Sequence, residues 1–407
     1  MVKIKVANPV VELDGDEMAR IVWRFIKEQL VLPYLDVELE YFDLGIQHRD
    51  ATRDQVTADA AQAVRRHGAG VVCPTITPDE ARVAEFGLRA RYRPPHATLR
   101  EAIGGGVFHE PVVLGALPGH GRGRPGPVVV GRPAAGDQRR ATDLRVPGPG
   151  TLTLTFTPAA GGGDPVELEV CAFEGPGAAS ARCRSDASVR DFARASFRYA
   201  LARRHPVRLT TDDAALTKYD GRFRDLFLEV FDAEFAADFG AAGLTCEHRP
   251  AEELVAAALR GEGGFLWVCR NDGGDLRADA VVQGFGPAGP ATSVLVSADG
   301  RTLAARPAHG TVTRHYRRHQ QGRATSTNPV ASVHAWTRAL AHRAALDGTP
   351  EVTAFTRALE EVCAETVEAG QMTADLARLV SADQPWLTTE QFLETLDTGL
   401  QKKMASR

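Results

Sequence analysis

The chain has no long apolar run, no strong charge of one sign, no internal repeat and no C-x-x-C pair. Each absence removes a class of protein. Without a run of about 20 apolar residues there is no candidate membrane-spanning helix. The first residues lead into Ile4-Lys-Val6 without a basic stretch and apolar core, so no secretory leader is read there. Acids and bases are interspersed and the net charge is -4, so no overall field draws in nucleic acid or an anionic membrane. Six scattered cysteines read as reduced, mostly buried thiols of a cytoplasmic protein. What is present is ordinary globular material: 407 residues, 43% of them hydrophobic, enough for two or three domains' worth of core. The excess of arginine over lysine carries little mechanistic weight.

Periodicity gives an α/β reading. Val2 to Val11 is strand-like, and 14–30 carries Met18, Ile21, Val22, Phe25 and Ile26 at helical spacing. A short buried strand runs over 68–73 and another over 128–130. Leu152 to Phe156 and Val166 to Val170 alternate with period two around a turn-rich stretch, the pattern of a hairpin. Helices are expected over 191–204, 220–241, 251–260, 329–346 and 351–369. In such an architecture ligands sit beyond the strand ends.

The most informative stretch is His309-Gly-Thr-Val-Thr-Arg-His315, followed by Arg323-Ala-Thr-Ser-Thr-Asn-Pro329. A glycine and small residues let backbone N–H groups approach a phosphate, and an arginine and a histidine follow to hold more negative charge. Asp275 and Asp279 stand four apart after a Gly-Gly turn; on one helix face such a pair chelates a hard cation.

The run Ala308 to Asn328 resembles the cofactor loop of the dimeric, eukaryotic-type NADP-dependent isocitrate dehydrogenases. So do Val11-Glu-Leu-Asp-Gly-Asp-Glu-Met18, Thr75-Ile-Thr-Pro-Asp-Glu-Ala-Arg82, Val146-Pro-Gly-Pro-Gly150, Lys218-Tyr-Asp-Gly-Arg-Phe223 and Ala335-Trp-Thr-Arg338, in the family's order from end to end. The resemblance implies the isocitrate/isopropylmalate dehydrogenase-like fold: a large α/β domain from 1–103 and 286–407, a small one from 104–136 and 186–285, and a β-rich dimerisation clasp over 137–185. It implies a homodimer whose active sites borrow acids across the interface, and a small anionic substrate. NADP would meet Thr75, Thr77, Arg82, Arg260, Gly310, Thr311, Val312, Thr313, Arg314, His315 and Asn328. Arg314 and His315 match the positions that meet the 2′-phosphate. Mg²⁺ (or Mn²⁺) would sit between Asp275 and Asp279, with Glu252 one methylene longer than the family's aspartate. Arg100, Arg132 and Thr77 match substrate-binding positions.

Departures from the pattern concentrate on the chemistry. Asp212 stands where the family has its proton-transfer lysine, Arg139 where it has its tyrosine, and His109 where it has a third substrate arginine. Pro94 and His96 replace a serine and an asparagine; Pro133, Ala135, Ala214, Ala288 and Ala291 replace bulkier neighbours. A guanidinium cannot deliver a proton near neutral pH, and losing an acid or a base costs about 10²–10⁴-fold each. The sequence reading therefore expects no ordinary isocitrate turnover. It favours Mg²⁺-dependent, redox-neutral chemistry on a bulky phosphorylated substrate, most sharply a prenyl diphosphate ionised for cyclisation or transfer, with Asp212 and Arg139 as catalytic groups. The alternatives are an NADP-dependent dehydrogenase of another hydroxy acid, with Asp212 as base, and a silent NADP-binding dimer.

Overall fold

The structure is a computed structural model that describes residues 2–117, 126–134, 142–211, 216–270 and 291–406. The chain divides into two compact units, 1–135 with 186–407, and 136–185.

Strands in the first unit are β1 (Ile4–Lys5), β2 (Val10–Asp14), β3 (Leu35–Asp36), β4 (Leu39–Asp43), β5 (Ala69–Val72), β6 (Gly106–Pro111) and β7 (Val129–Pro133). The second unit holds β8 (Thr142–Val146), β9 (Gly150–Phe156), β10 (Val166–Phe173) and β11 (Gly177–Ala181). The first unit resumes with β12 (Val207–Leu209), β13 (Cys246–His248), β14 (Leu266–Val268), β15 (Ala291–Val296) and β16 (Leu303–Pro307). Ten of them form one mixed sheet in the order β13-β12-β14-β7-β6-β15-β16-β5-β2-β4. Its two flanks are parallel, while β6 and β15 in the middle run antiparallel to their neighbours. The fold is thus mixed α/β.

The strand expected over 2–11 is split into β1 and β2, because Pro9 lacks the N–H a continuous ladder needs. The helix expected over 14–30 begins at Glu17 and passes into a π-helical turn over Lys27–Val31. The one expected over 220–241 is likewise interrupted by a π turn over Phe231–Phe235.

One core gathers around Trp23 and Trp336, whose ring centroids are 5.3 Å apart, and is walled by the helices Val330–Asp347, Pro350–Glu368 and Thr389–Ala405. A second packs Phe192, Phe197, Phe223, Phe227 and Phe239 beside the β12 and β14 end of the sheet. A third, with Val56, Val64, Leu99, Val107 and Leu295, lies between the sheet and the helices Gln55–His67 and Pro95–Ile103. No helix of the described residues is long and apolar enough to cross a membrane.

The second unit is two antiparallel pairs, β8 with β11 and β9 with β10. Leu154 faces Leu168 and Phe156 faces Val166, and all four are 52–66% exposed. The six cysteines are free, as expected, but only three of them, Cys73, Cys269 and Cys363, are buried rather than most. Cys171 is exposed in β10 and Cys183 just beyond β11.

Candidate functional site

β16 delivers the chain to the 308–312 loop, and the helix Thr313–Gln320 follows. Between them Val312 holds a left-handed conformation (φ 57°, ψ 50°). That is costly for a β-branched residue and persists only where neighbours over-determine it. Glu17 does so. Its carboxylate accepts hydrogen bonds from the hydroxyls of Thr311 and Thr313, both at 2.5 Å. Arg82, from the helix Glu80–Phe86, lies 3.2 Å from the same carboxylate and donates to the Thr313 hydroxyl at 2.9 Å. The amide of Ala19 donates to the Thr311 carbonyl at 3.2 Å. Glu17 is itself left-handed (φ 53°) and 8% exposed. The loop is therefore clamped from behind, while its outer side stays open: a Cβ added at Gly310 would meet nothing within 4 Å.

The rest of the expected cofactor set is placed as follows. His315 bonds the Thr327 hydroxyl through Nδ1 at 2.7 Å. Burial first, then Arg318 and Arg314, push its imidazole below the ordinary value. Asn328 caps Val330 and donates to Asp375. Arg314 is exposed. Thr75 and Thr77 lie on the segment leaving β5, half-buried and exposed respectively. Asp16 fixes that segment by accepting from the amides of Ile76 (2.8 Å) and Ile46 (2.9 Å). Burial raises the Asp16 carboxyl to about 6 despite those two bonds. Only glycine fits before it, since a Cβ on Gly15 would stand 2.0 Å from the Pro74 carbonyl oxygen. Arg260 and Glu252 belong to a different element, the helix Ala251–Leu259 and its end; both are exposed, and Arg260 pairs with Glu262 at 3.1 Å.

A second cluster forms on one face of the sheet. In the register, His109 of β6 is opposite Ser293 of β15, and Ser293 is opposite Arg306 of β16. Arg132 of β7 places Nη2 against Nε2 of His109. The helix Pro95–Ile103 covers this face, and His96, Arg100, Ser293 and Arg306 line a small pocket there with Val107 and Leu295. His109, Arg100 and Arg132 are buried. Burial, then Arg132, Arg306 and Arg100, hold the His109 imidazole well below its ordinary value, so it is neutral. The pocket has a cavity volume of only about 20 Å³, the room of one water. Pro133 and Ala291 are packed into strands, so among the described residues the small replacements open no large apolar chamber there.

Asp212, Arg139, Asp275 and Asp279 lie outside the described residues, as do Ala135, Ala214 and Ala288. Among the described residues no three His, Cys, Asp or Glu side chains gather to hold a metal. Glu17, Asp16, Ser293 and Arg306 were not singled out from the sequence. Glu17 and Asp16 sit in a quoted block, but nothing linear ties Glu17 to a loop nearly 300 residues away.

A family model described as isocitrate/isopropylmalate dehydrogenase matches residues 5–396. The chain belongs to that family. It is 55% identical over 405 residues to an NADP isocitrate dehydrogenase of Sphingobium yanoikuyae, covering 100% of this chain and 99% of the relative. It is 54% identical to NADP isocitrate dehydrogenase 1 of Mycobacterium tuberculosis, covering 99% of each. It is 46% identical to the mitochondrial NADP isocitrate dehydrogenase of Bos taurus, covering 100% of this chain and 91% of the relative.

These relatives overturn the expectation of redox-neutral prenyl-diphosphate chemistry. Full-length similarity of this degree runs to NADP-dependent dehydrogenases, and the reading as an enzyme of prenyl-diphosphate cyclisation or transfer falls with it.

Proposed function

We propose that this chain is an NADP-dependent dehydrogenase of a 2-hydroxy acid, with isocitrate the first substrate to test. The observation that carries the reading is the Glu17–Arg82–Thr311–Thr313 clamp, which presents a strained, glycine-led loop and a helix N-terminus to an open side. That chemistry fits the phosphates of a dinucleotide, and the names of the full-length relatives agree. Arg314 is the cation for the 2′-phosphate. The acids assigned to the metal, Asp275, Asp279 and Glu252, are an all-oxygen donor set suited to Mg²⁺ or Mn²⁺.

NADP⁺, held at the 310–315 loop, would supply the hydride acceptor, and a divalent cation, held by Asp275, Asp279 and Glu252, would supply a Lewis acid. Arg100 and Arg132 hold carboxylates by their planar forks. Neutral His109 adds a polar contact beside Arg132. Asp212 takes the hydroxyl proton. Arg139 balances negative charge on the oxidised substrate and does not titrate. The finer reading, that the family's lysine and tyrosine functions are absent, thus changes who moves protons rather than the class of reaction. The protein should form NADPH from isocitrate with Mg²⁺, and Asp212→Asn should lower kcat by about 10²–10⁴-fold with NADPH affinity unchanged. No NADPH from isocitrate or from a panel of 2-hydroxy acids would sink the reading; retained NADPH binding would then leave a silent cofactor binder.

The domain limits and the dimer belong to the same proposal. A two-stranded sheet is marginal alone in water, and the apolar face of Leu154, Phe156, Val166 and Leu168 is exposed, which suits a clasp over 137–185 closed by a second copy. A partner's helix Ala251–Leu259 would bring Glu252 and Arg260 to the site. Light scattering should give a dimer at micromolar concentration, and a monomer would refute the clasp.

A further inference from the structure

Arg49 is fully buried in the short helix Ile46–Ala51, and its guanidinium holds three partners in three directions. Nε donates to the Asp54 carboxylate at 2.8 Å, Nη1 to the Ile76 carbonyl at 3.3 Å and Nη2 to the Arg93 carbonyl at 2.5 Å. Asp54 is fixed in turn. Its backbone is left-handed (φ 65°), its amide donates to the Arg49 carbonyl at 2.7 Å, and the Thr57 hydroxyl donates to its carboxylate at 2.5 Å. Arg49 Cζ lies over the Tyr92 ring, 5.9 Å from its centroid, and Tyr92 packs against a small apolar cluster of Ile46, Ile76 and Leu88.

The two carbonyls belong to different parts of the site. Ile76 stands between Thr75 and Thr77, two of the expected ligand positions. Its amide donates to Asp16 and its carbonyl accepts from Arg49, so both of its backbone polar groups are held from the interior. Arg93 precedes Pro94 and Pro95, which lead into the helix carrying His96 and Arg100. Neither proline has an N–H to donate, so the Arg93 carbonyl is a handle on the chain as it enters that helix. A second tie between the two stretches, from Arg91 Nε to the Pro78 carbonyl at 3.2 Å, starts from an exposed residue. The donors of a guanidinium lie in one rigid plane, which an ammonium on a flexible stem does not reproduce.

We infer that Arg49 is a positioning residue: it sets the cofactor segment Thr75–Thr77 and the substrate segment Pro94–Arg100 at one fixed spacing, so binding of both ligands depends on it. The inference rests on the proposed NADP-dependent oxidation of a 2-hydroxy acid at this site. Glu17 serves the cofactor loop, whereas Arg49 spans both segments.

The full-length wild type, Arg49→Met and Arg49→Lys are compared by initial-rate kinetics with isocitrate, NADP⁺ and Mg²⁺, and by hydrogen exchange without ligands. In Arg49→Met, KM should rise about tenfold or more for isocitrate and for NADP⁺ together. kcat should stay nearly unchanged, the mark of lost uniform binding, and the lysine variant should fall between. Amides of 75–77 and 96–103 should both exchange faster, while the helix Pro350–Glu368 keeps its wild-type rates. If Arg49→Met does not fold, Asp54→Asn, which loosens the guanidinium, should give smaller changes in the same direction. Arg91→Met, which cuts the exposed tie, should move each KM by no more than about twofold. A lower melting temperature with both KM values unchanged, a rise in one KM alone, faster exchange spread evenly along the chain, or equal losses in Arg91→Met would overturn the inference. Failure of the parent reading looks different: the two segments exchange faster together in Arg49→Met, but the wild type forms no NADPH from isocitrate.

Discussion

The two faces of strand β6 treat arginine in opposite ways. His109 points to one face, where Arg132, Arg100 and Arg306 surround a neutral imidazole. Glu110, one residue on, points to the other. There its carboxylate takes hydrogen bonds from Tyr199 (2.7 Å), Arg203 (2.8 Å) and Arg338 (2.5 Å), and Arg338 reaches on to Glu360 at 2.5 Å. Burial alone would raise the Glu110 carboxyl, but Arg338, Arg203 and the Tyr199 hydroxyl bring it down to about 2. On the Glu110 side the protein supplies the anion, and the arginines tie the helices Asp186–Arg203 and Val330–Asp347 to the sheet. On the His109 side the strand's own residue carries no charge, so the strand itself supplies those arginines with no anion. Arginine near a strand is thus not a functional signal in itself; the charge of its partner decides.

Breaking the Glu110 side should have the largest effect and should fall on stability. Glu110→Gln leaves two arginines beside an uncharged amide. It should cost about 3–5 kcal/mol by urea unfolding, with KM for the substrate unchanged; a loss below 1 kcal/mol would mean the ion cluster is dispensable. The same group predicts an acid limit. Its folded pKa lies below its unfolded value near 4.5, so its contribution is present above that value and is lost as pH falls toward about 2. The acid-side loss of stability should be shallower in Glu110→Gln over this window, and identical profiles would reject the assignment.

Breaking the His109 side should move binding instead. Arg100→Ala should raise KM for isocitrate by about 10- to 100-fold, as seen in initial-rate kinetics, with a smaller change in melting temperature than Glu110→Gln. The reverse ranking would dissolve the contrast between the faces.

The cofactor loop offers an intermediate case, since there a buried carboxylate serves a binding loop. Glu17→Ala removes the acceptor for Thr311 and Thr313 and the partner of Arg82, and frees Val312 to relax. NADPH affinity should weaken about tenfold or more, measured by fluorescence titration, while isocitrate affinity holds. An unaltered NADPH affinity would make the clamp ornamental. The smallest effect is expected for Arg314→Ala, which is exposed: the preference for NADP over NAD should shrink by about tenfold without altering stability.

Much of this was legible because it is local. The loop 308–328, the Thr75–Arg82 segment and the β9–β10 pair are contiguous runs, and short-range backbone preferences and two-residue alternation are written into them. The helices over 330–347 and 350–368 were likewise within a residue or two of their expected limits. The single substitutions at Asp212 and Arg139 point to another reaction class, but 54–55% identity to NADP isocitrate dehydrogenases over the full chain outweighs them. The sequence by itself determined the α/β architecture, the family and the phosphate-loop motif, since each rests on pattern over consecutive residues. Only the tertiary structure decided that Glu17 clamps the loop, that Asp16 fixes the Thr75–Thr77 segment, and that Arg306 stands two strands from His109 while Glu110 faces the other way. Those juxtapositions depend on sheet register and on how the helices and loops pack at the strand ends, which brings together residues separated by up to 296 positions, and no linear spacing encodes them.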